Sequence, residues 1–260
     1  MDKNKWSRRL FLKSLSIRAL SLLSFPQILR AAEGISTDAY ENDLSRISML
    51  LKEKKMVTWL FTGDSITQGA KHTNGMRAFP EIFAERMRWE MNRSYDVVIN
   101  TAISGNTSQN IVNDFELRVA KYQPNVVFLM IGTNDAATER NISPEQFREN
   151  LLILIDSIRT IKSIPVLMSP NRIVADRSPN RSMLEEYVLQ MRDVIKIKNI
   201  VFVDNWEIWN NELKKKYEDK VYEKLLNDPL HPNGYGHKEL AIALFKKISM
   251  FDSLSPNCID

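Results

Sequence analysis

Cysteine and histidine are both scarce in this chain. The 260 residues include one cysteine, Cys258, and three histidines. A single cysteine excludes an intramolecular disulfide, and a thiol third from the C-terminus is a poor candidate for a catalytic or metal-binding group. The sequence contains no other cluster of metal ligands. We therefore predict that the protein uses no metal ion and no other cofactor.

Net positive charge is confined to the first 32 residues. The whole chain has a formal net charge of +4, but residues 1–32 carry seven lysines and arginines against Asp2 alone, a net charge of +6. The rest of the chain is therefore left with a net charge of −2. The basic balance belongs to the N-terminal segment, and we predict that the folded body does not bind nucleic acid.

Residues 1–32 have the composition of an export signal. Residues 7–13 read SRRLFLK, residues 14–25 are modestly apolar, and small residues follow at 31 and 32. The first of these segments resembles the twin-arginine translocation signal, S-R-R-x-F-L-K, at every fixed position. Such signals are addresses read by a receptor, so the resemblance implies the twin-arginine export machinery as a partner and a periplasmic or cell-surface location. The alternative is an amphipathic basic helix.

A long apolar run is also missing from this N-terminal segment. The apolar stretch is short and interrupted by serines and Arg18, which does not predict a membrane-spanning helix. Leu29 would occupy the −3 position of a cleavage after Ala31, which makes a poor cleavage site. An uncleaved N-terminal membrane tether therefore stays open.

The remainder divides into a linker and leading helix over residues 33–55, one domain over 56–252 and a C-terminal tail over 253–260. The domain alternates five apolar segments with helical patterns; we predict strands at 57–61, 95–101, 126–131, 164–168 and 200–203. Several of these segments are apolar throughout, which indicates strands covered on both faces. The pattern predicts an α/β domain with a parallel sheet between two layers of helices.

Parallel strands joined by right-handed crossovers all end at one edge of the sheet, where ligands bind. The loop after the first strand reads Gly63-Asp64-Ser65. A glycine that lets the backbone turn, followed by a small hydroxyl side chain, is a way to present a nucleophile at a strand end. The alternative is an ordinary turn in which Ser65 caps the next helix.

A serine nucleophile needs a base, and the sequence offers His72, His231 and His237. His231 lies in the segment Asp228-Pro-Leu-His-Pro, in which the carboxylate can accept a hydrogen bond from one imidazole nitrogen and leave the other free. A surface turn is the alternative. We expect His72 to be solvated or to line the substrate site, and His237 to open the last helix at the surface.

Donors for a developing oxyanion are also present at the strand ends. Gly105 follows the second strand, where a glycine lets a backbone N–H approach a ligand closely, and Asn134 follows the third strand with a side-chain amide that can donate. Each residue alone is also ordinary turn chemistry.

Taken together, Gly63-Asp64-Ser65, Gly105, Gly132-x-Asn134-Asp135 and Asp228-x-x-His231 resemble, in order, the four sequence blocks of the SGNH (GDSL-type) hydrolases. The resemblance covers about residues 56–250. It implies a three-layer α/β/α, flavodoxin-like fold with a central parallel five-stranded sheet. It implies Ser65 as nucleophile, His231 as general base and Asp228 as the residue that orients it. It also implies an oxyanion hole made by the Ser65 and Gly105 N–H groups and the Asn134 side chain.

What the resemblance implies is hydrolysis of carboxylic esters through an acyl-enzyme on Ser65. An exported enzyme without a long apolar lid segment favours a small acyl group, such as acetate on a carbohydrate. Three alternatives remain: a lipase, lysophospholipase or thioesterase of the same fold; an O-acyltransferase acting on a glycan; and a glycan-binding domain without activity. Candidate substrate walls are the loop 71–76 with His72, and Arg172, whereas core packing is expected for Trp206 and Trp209.

Overall fold

The computed structural model describes residues 42–69 and 71–259. The predicted export signal and most of the linker lie outside the described residues. A helix over residues 42–52 agrees with the leading helix expected before the first strand. Within the described ranges, no helix combines the length and the apolar character needed to cross a membrane.

Five strands form one sheet in which every neighbouring pair is parallel. Their order across the sheet is β2-β1-β3-β4-β5, as in doubly wound, flavodoxin-like folds. The strands are β1 Thr58–Gly63, β2 Val97–Asn100, β3 Val126–Met130, β4 Ile164–Met168 and β5 Val201–Val203. The predicted five-stranded parallel sheet is confirmed, with each strand within two residues of the expected ends.

The connections between the strands are helical. The helices are α1 42–52, α2 Ser65–Gln68, α3 Phe79–Glu85, α4 Ser108–Asn113, α5 Phe115–Arg118, α6 Pro144–Thr160, α7 Leu184–Lys198, α8 Asn205–Ile208, α9 Lys214–Lys216, α10 Val221–Leu225 and α11 Gly234–Lys247. Helix α3 continues as a π-helical turn over Arg86–Glu90, and two 3₁₀ turns, Ala175–Arg177 and Pro179–Arg181, lie in the loop before α7.

Two apolar cores lie on opposite faces of the sheet because side chains alternate along each strand. Trp59 and Phe61 of β1 point to the face covered by α1, α3 and α11, where the ring of Phe61 stacks on that of Phe128 with centroids 4.5 Å apart. Leu60 points to the other face. There, Phe147 and Leu151 of α6 pack with α4 and α7. The arrangement confirms the three-layer α/β/α architecture.

The chain direction across the sheet reverses at β1, which lies between β2 and β3. The crossovers from β1 to β2 and from β3 to β4 therefore run to opposite sides, and a crevice opens at the carboxyl ends of β1 and β3. The loops that carry Ser65 and Asn134 begin at this crevice.

The segment between β2 and β3 is not one continuous helix. It is divided into α4, α5 and a 3₁₀ turn, Ala120–Tyr122, because the backbone leaves helical geometry at Asp114 and Val119.

The prediction that His237 is exposed was wrong. Helix α11 begins at Gly234 because the Asn233 side chain accepts hydrogen bonds from the Tyr235 and Gly236 N–H groups. His237 therefore lies in the first turn of α11 and is buried, and its Nδ1 accepts a hydrogen bond from the Phe79 N–H at 3.3 Å. Burial lowers the pKa of His237 to about 3, so the imidazole is neutral and acts as a cap for α3.

Residues 253–259, predicted as a tail, pack against the π-helical turn after α3. Arg86 donates to the carbonyl oxygen of Met250 at 2.8 Å, and Glu90 accepts the backbone N–H of Asn257 at 2.9 Å. Cys258 is buried in the same contact. The end of the chain thus stabilises the helix layer.

Candidate active site

The position of Ser65 follows from the way β1 ends. Gly63 has a φ of +156°, and a Cβ there would lie 2.1 Å from the carbonyl oxygen of Met130. This close approach requires glycine. Asp64 then caps α2 by accepting the Ile66 N–H at 2.9 Å. Ser65 is the first residue of α2, where backbone N–H groups have no partner within the helix and negative charge is favoured.

The structure brings Ser65, His231 and Asp228 into one hydrogen-bonded chain, here called the triad. The Oγ of Ser65 lies 2.9 Å from Nε2 of His231, and Nδ1 of His231 lies 2.8 Å from Oδ2 of Asp228. Nucleophile, base and orienting carboxylate have the same mutual geometry in serine hydrolases. The residues are separated by up to 166 positions in the chain, and the fold joins them.

The loop that carries Asp228 and His231 is braced by its own backbone. The Oδ1 of Asp228 accepts the N–H groups of Leu230 and His231, both at 2.8 Å. The Asn227 N–H donates to the carbonyl oxygen of His231 at 2.9 Å, and the Asn171 side chain donates to the carbonyl oxygen of Leu230 at 3.1 Å. These contacts hold the carboxylate next to Nδ1 of His231 in the absence of substrate.

The electrostatic environment matches a base and its partner. Partial burial raises the pKa of Asp228, but hydrogen bonds from Leu230 and His231 outweigh this effect and hold it below the usual range. Burial lowers the pKa of His231, against the raising effect of Asp228. At neutral pH the carboxylate is ionised and the imidazole is neutral, so Nε2 can accept a proton from Ser65.

His72, expected to be solvated or to line the site, lies face to face with the imidazole of His231. The two ring centroids are 3.4 Å apart and the planes differ by 1°. The Nδ1 of His72 also lies 3.2 Å from Oδ2 of Asp228. The Asp228 carboxylate thus has both imidazoles as neighbours.

His72, Asp228 and His231 are also the one group of three metal-ligand side chains close together in the described ranges of the chain. A metal ion lies in the plane of each imidazole that binds it. Two parallel rings 3.4 Å apart cannot both meet this condition. The arrangement therefore fits a hydrogen-bonded triad with a stacked neighbour.

The predicted oxyanion donors lie in the loops after β2 and β3. Gly105 has a φ of +82°, and no hydrogen bond from its N–H is found within residues 42–69 and 71–259. The Nδ2 of Asn134 donates one hydrogen to the carbonyl oxygen of Asn106 at 3.0 Å, which joins the loops after β2 and β3. An amide NH₂ has two hydrogens, so the second stays available for a ligand.

Arg181 contacts the same amide and was not predicted from the sequence. Its guanidinium donates to Oδ1 of Asn134 at 3.3 Å and to the carbonyl oxygen of Thr133 at 3.1 Å. Because Oδ1 accepts from Arg181, Nδ2 must point the other way, toward the Gly105 loop. No spacing in the sequence connects the two residues, which lie 47 positions apart.

Arg172, a predicted substrate wall, has its guanidinium engaged elsewhere. The group lies over the ring of Trp206, 4.2 Å from the centroid, and 4.0 Å from a carboxylate oxygen of Glu185. Trp206 and Trp209 are both buried, as expected for core residues. The backbone of Arg172 remains near the triad loop because Asn171 donates to the carbonyl oxygens of both Arg172 and Leu230.

Asp64 and Asp135 are buried braces for the strand-end loops. Burial raises the pKa of Asp64 to about 7 and that of Asp135 to about 6. The Oδ1 of Asp135 accepts from both the backbone N–H and the hydroxyl of Ser108, which joins the loop after β3 to α4. Both carboxyls thus hold loop geometry.

Comparison with known proteins identifies the family. The GDSL-like lipase/acylhydrolase family model matches residues 61–239. The acetylxylan esterase of Geobacillus stearothermophilus is 27% identical over 206 residues, which cover 73% of this chain and 92% of that protein. The thioesterase 1/protease 1/lysophospholipase L1 of Escherichia coli is 28% identical over 111 residues, or 43% of this chain and 50% of that protein.

Solved structures share the fold. The hydrolase LAE5 from the Lake Arreo metagenome has a TM-score of 0.63 at 22% identity, covering 76% of this chain and 97% of that one. The Geobacillus stearothermophilus acetylxylan esterase has a TM-score of 0.60 at 23% identity, covering 74% and 94%. Because the family match spans more than half of the sequence and includes all four sequence blocks, this chain belongs to the GDSL-like lipase/acylhydrolase family and is a carboxylic ester hydrolase.

Proposed function

We propose that the triad carries out the hydrolysis, with Ser65 as nucleophile, His231 as general base and Asp228 as the residue that orients it. The observation that carries this proposal is the 2.9 Å contact between Ser65 Oγ and His231 Nε2, continued at 2.8 Å from His231 Nδ1 to Asp228. The oxyanion hole consists of the Ser65 and Gly105 N–H groups and the Asn134 amide. The free Gly105 N–H and the second hydrogen of the Asn134 amide support this assignment.

In this mechanism His231 takes the hydroxyl proton of Ser65 as Oγ attacks the ester carbonyl carbon. The tetrahedral intermediate carries its negative charge at the oxyanion hole. His231 then donates the proton to the leaving alcohol as the C–O bond breaks, which leaves an acyl group on Ser65. A water molecule gives a proton to His231 and attacks the acyl carbon. His231 then returns this proton to Ser65 Oγ as the bond between Oγ and the acyl carbon breaks, which releases the carboxylic acid and restores Ser65.

The substrate class we propose is a short-acyl ester, an acetyl group on a carbohydrate. A relative that matches 73% of this chain and 92% of its own length is an acetylxylan esterase. Two polar side chains, His72 and Arg181, contact the triad and Asn134 respectively. A polar site of this kind suits a sugar better than a long acyl chain, which needs an apolar channel.

The substrate test compares esters that differ only in acyl length. We expect kcat/KM for p-nitrophenyl acetate to exceed kcat/KM for p-nitrophenyl laurate by at least tenfold. We also expect the enzyme to release acetate from acetylated xylooligosaccharides. A preference for laurate, or for acyl-coenzyme A, would favour the lipase or thioesterase alternative, since one relative is a thioesterase and lysophospholipase. Acetyl transfer to an added glycan would instead identify an acyltransferase.

The catalytic assignment has its own test. We expect a fluorophosphonate to label the wild-type protein covalently on Ser65 and to leave Ser65→Ala unlabelled. Ser182, which lies in the loop before α7, provides the matched control variant Ser182→Ala. Equal labelling of wild type and Ser65→Ala would contradict the assignment, as would binding of a glycan without turnover.

The location we propose is outside the cytoplasm, by the twin-arginine route. The support is the segment SRRLFLK at residues 7–13. Fusion of residues 1–41 to a reporter that is active only after export of a folded protein tests it. We expect the wild-type segment to export the reporter and the double variant Arg8→Lys/Arg9→Lys to lose this export. Reporter activity that persists in the double variant would contradict the proposal.

A further inference from the structure

His72 has a relationship to the triad that the hydrolytic mechanism leaves unused. Its imidazole covers one face of His231 at 3.4 Å, and its Nδ1 lies 3.2 Å from the carboxylate that orients His231. The side chain of His72 is 19% exposed, and that of His231 is 15% exposed. His72 therefore contacts both the ring of the general base and the carboxylate that orients this ring.

We propose that His72 is a positioning residue whose ring holds the imidazole of His231 against Asp228 and excludes water from one face of the general base. The inference rests on the proposed catalytic role of His231. It assigns no proton transfer to His72, because Nε2 of His231 alone contacts Ser65.

Restraint of the ring is the first consequence. The imidazole of His231 can rotate about its side-chain bonds, and a rotation of its plane would move Nε2 away from Ser65 Oγ. Two hydrogen bonds at Nδ1 and Nε2 define positions in the plane of the ring, whereas a parallel aromatic neighbour opposes tilting out of that plane. Small misplacements of catalytic groups lower rates strongly, so this restraint affects kcat.

Protection from water is the second consequence. Burial lowers the pKa of His231, and the electrostatic effect of His72 acts in the same direction. Removing the His72 ring would expose His231, remove this lowering effect and leave Asp228 to His231 alone. All three changes favour the imidazolium form of His231, so its pKa would rise and the base would be protonated at a higher pH.

The other charged groups around the stacked pair do not replace His72. Asp228 favours the cationic form of His231, and Arg181 opposes it. His237 from α11 is neutral in the working range because its pKa is about 3. Lys71, which precedes His72 on the same loop, is exposed and directed to solvent.

The test measures kcat/KM against pH for p-nitrophenyl acetate in wild type, His72→Ala and His72→Phe. In His72→Ala we expect kcat to fall about 3- to 10-fold and the acid limb to move up by about half a pH unit or more. His72→Phe retains a ring over His231 and should recover at least half of that shift. Lys54→Ala, at an exposed lysine in the loop before β1, should behave as wild type.

The rate of fluorophosphonate labelling over the same pH range gives a second readout that does not depend on substrate binding. Three results would each overturn the inference. The acid limb of the kcat/KM profile could be unchanged in His72→Ala, or the change could be confined to KM. The acid limb of His72→Phe could also be equal to that of His72→Ala. Circular dichroism verifies the fold of each variant. If wild type is not labelled at all, the proposed function fails; if wild type is labelled and only the His72 variants show no shift, the inference on His72 alone fails.

Discussion

The guanidinium of Arg181 donates a hydrogen bond to Oδ1 of Asn134 at 3.3 Å and a second to the neighbouring carbonyl oxygen of Thr133 at 3.1 Å. These two contacts orient the Asn134 amide, so that Nδ2 faces the loop of Gly105. The donor proposed for the oxyanion hole is therefore set by a residue on a different loop, the 3₁₀ turn that precedes α7. The charge of Arg181 thus lies beside the proposed oxyanion donor.

Replacement of Arg181 tests this role. In Arg181→Gln we expect kcat for p-nitrophenyl acetate to fall by about tenfold or more with little change in KM, because loss of a whole oxyanion donor costs about 10²–10³ and an orienting group contributes less. Arg177→Gln, an exposed arginine on the same loop, is the matched control. A large rise in KM with kcat unchanged would show that Arg181 binds substrate.

The residues of the triad could be predicted because their chemistry is local in the sequence. Ser65 follows an apolar strand and a glycine-containing turn. Asp228 lies three residues before His231, which lies between two prolines. Each loop could therefore be interpreted by itself. The parallel sheet then places the strand ends on one edge. The three-layer fold followed from the same alternation of apolar strands and helical patterns.

Arg181 was not identified in this way, and His72 was expected to be solvated or to line the substrate site rather than to stack on His231. Their partners lie 47 and 156 or more positions away in the chain, and each approaches through an irregular loop whose path no periodicity describes. His237 was placed at the surface for a related reason: an Asn233 cap starts α11 earlier than the apolar pattern indicates. Loop paths and helix caps determine these contacts, and both depend on tertiary packing.

The pairing of Asp228 with His231 leads to a prediction on pH dependence. In Asp228→Asn the carboxylate that raises the pKa of His231 is lost, so this pKa should fall further below its ordinary value. The acid limb of kcat/KM should then move to lower pH, opposite to the shift expected for His72→Ala. The plateau of kcat should fall about 10²–10⁴-fold because the ring loses its orientation.

Rate profiles between pH 4 and 9 measure both effects, with Asp176→Asn, an exposed carboxylate in the loop before α7, as control. A limb that moves upward in Asp228→Asn would contradict the electrostatic role assigned to Asp228.

Asp64 provides a prediction on stability. Burial, with a contribution from Asp135, raises its pKa to about 7, above the value of 3.8 in the unfolded chain. The protonated form is therefore favoured in the folded state, and its contribution to stability is fully present below about pH 4 and is lost as the pH rises through about 7. Asp64→Asn keeps an oxygen that can cap Ile66 and removes the buried charge.

We therefore expect Asp64→Asn to gain stability relative to wild type as the pH rises from 4 to 8, by a difference on the order of 4 kcal/mol. Urea unfolding at both pH values measures it, and Asp176→Asn should show no such trend. A difference between Asp64→Asn and wild type that stays constant over this range would contradict the raised pKa.

Gly63 and Gly75 offer a matched pair of backbone positions at the same edge of the molecule. Both have positive φ, +156° and +82°, but a Cβ at Gly63 would lie 2.1 Å from the carbonyl oxygen of Met130, whereas a Cβ at Gly75 meets nothing within 4 Å. We expect Gly75→Ala to lower the free energy of unfolding by about 1–2 kcal/mol, which is the strain of a left-handed residue. Gly63→Ala must also separate β1 from β3, so it should lose several kcal/mol more and, with the movement of Ser65, most of the activity. Urea unfolding compares the two variants, and losses that agree within 1 kcal/mol would show that the close approach of the two strands at Gly63 is not needed.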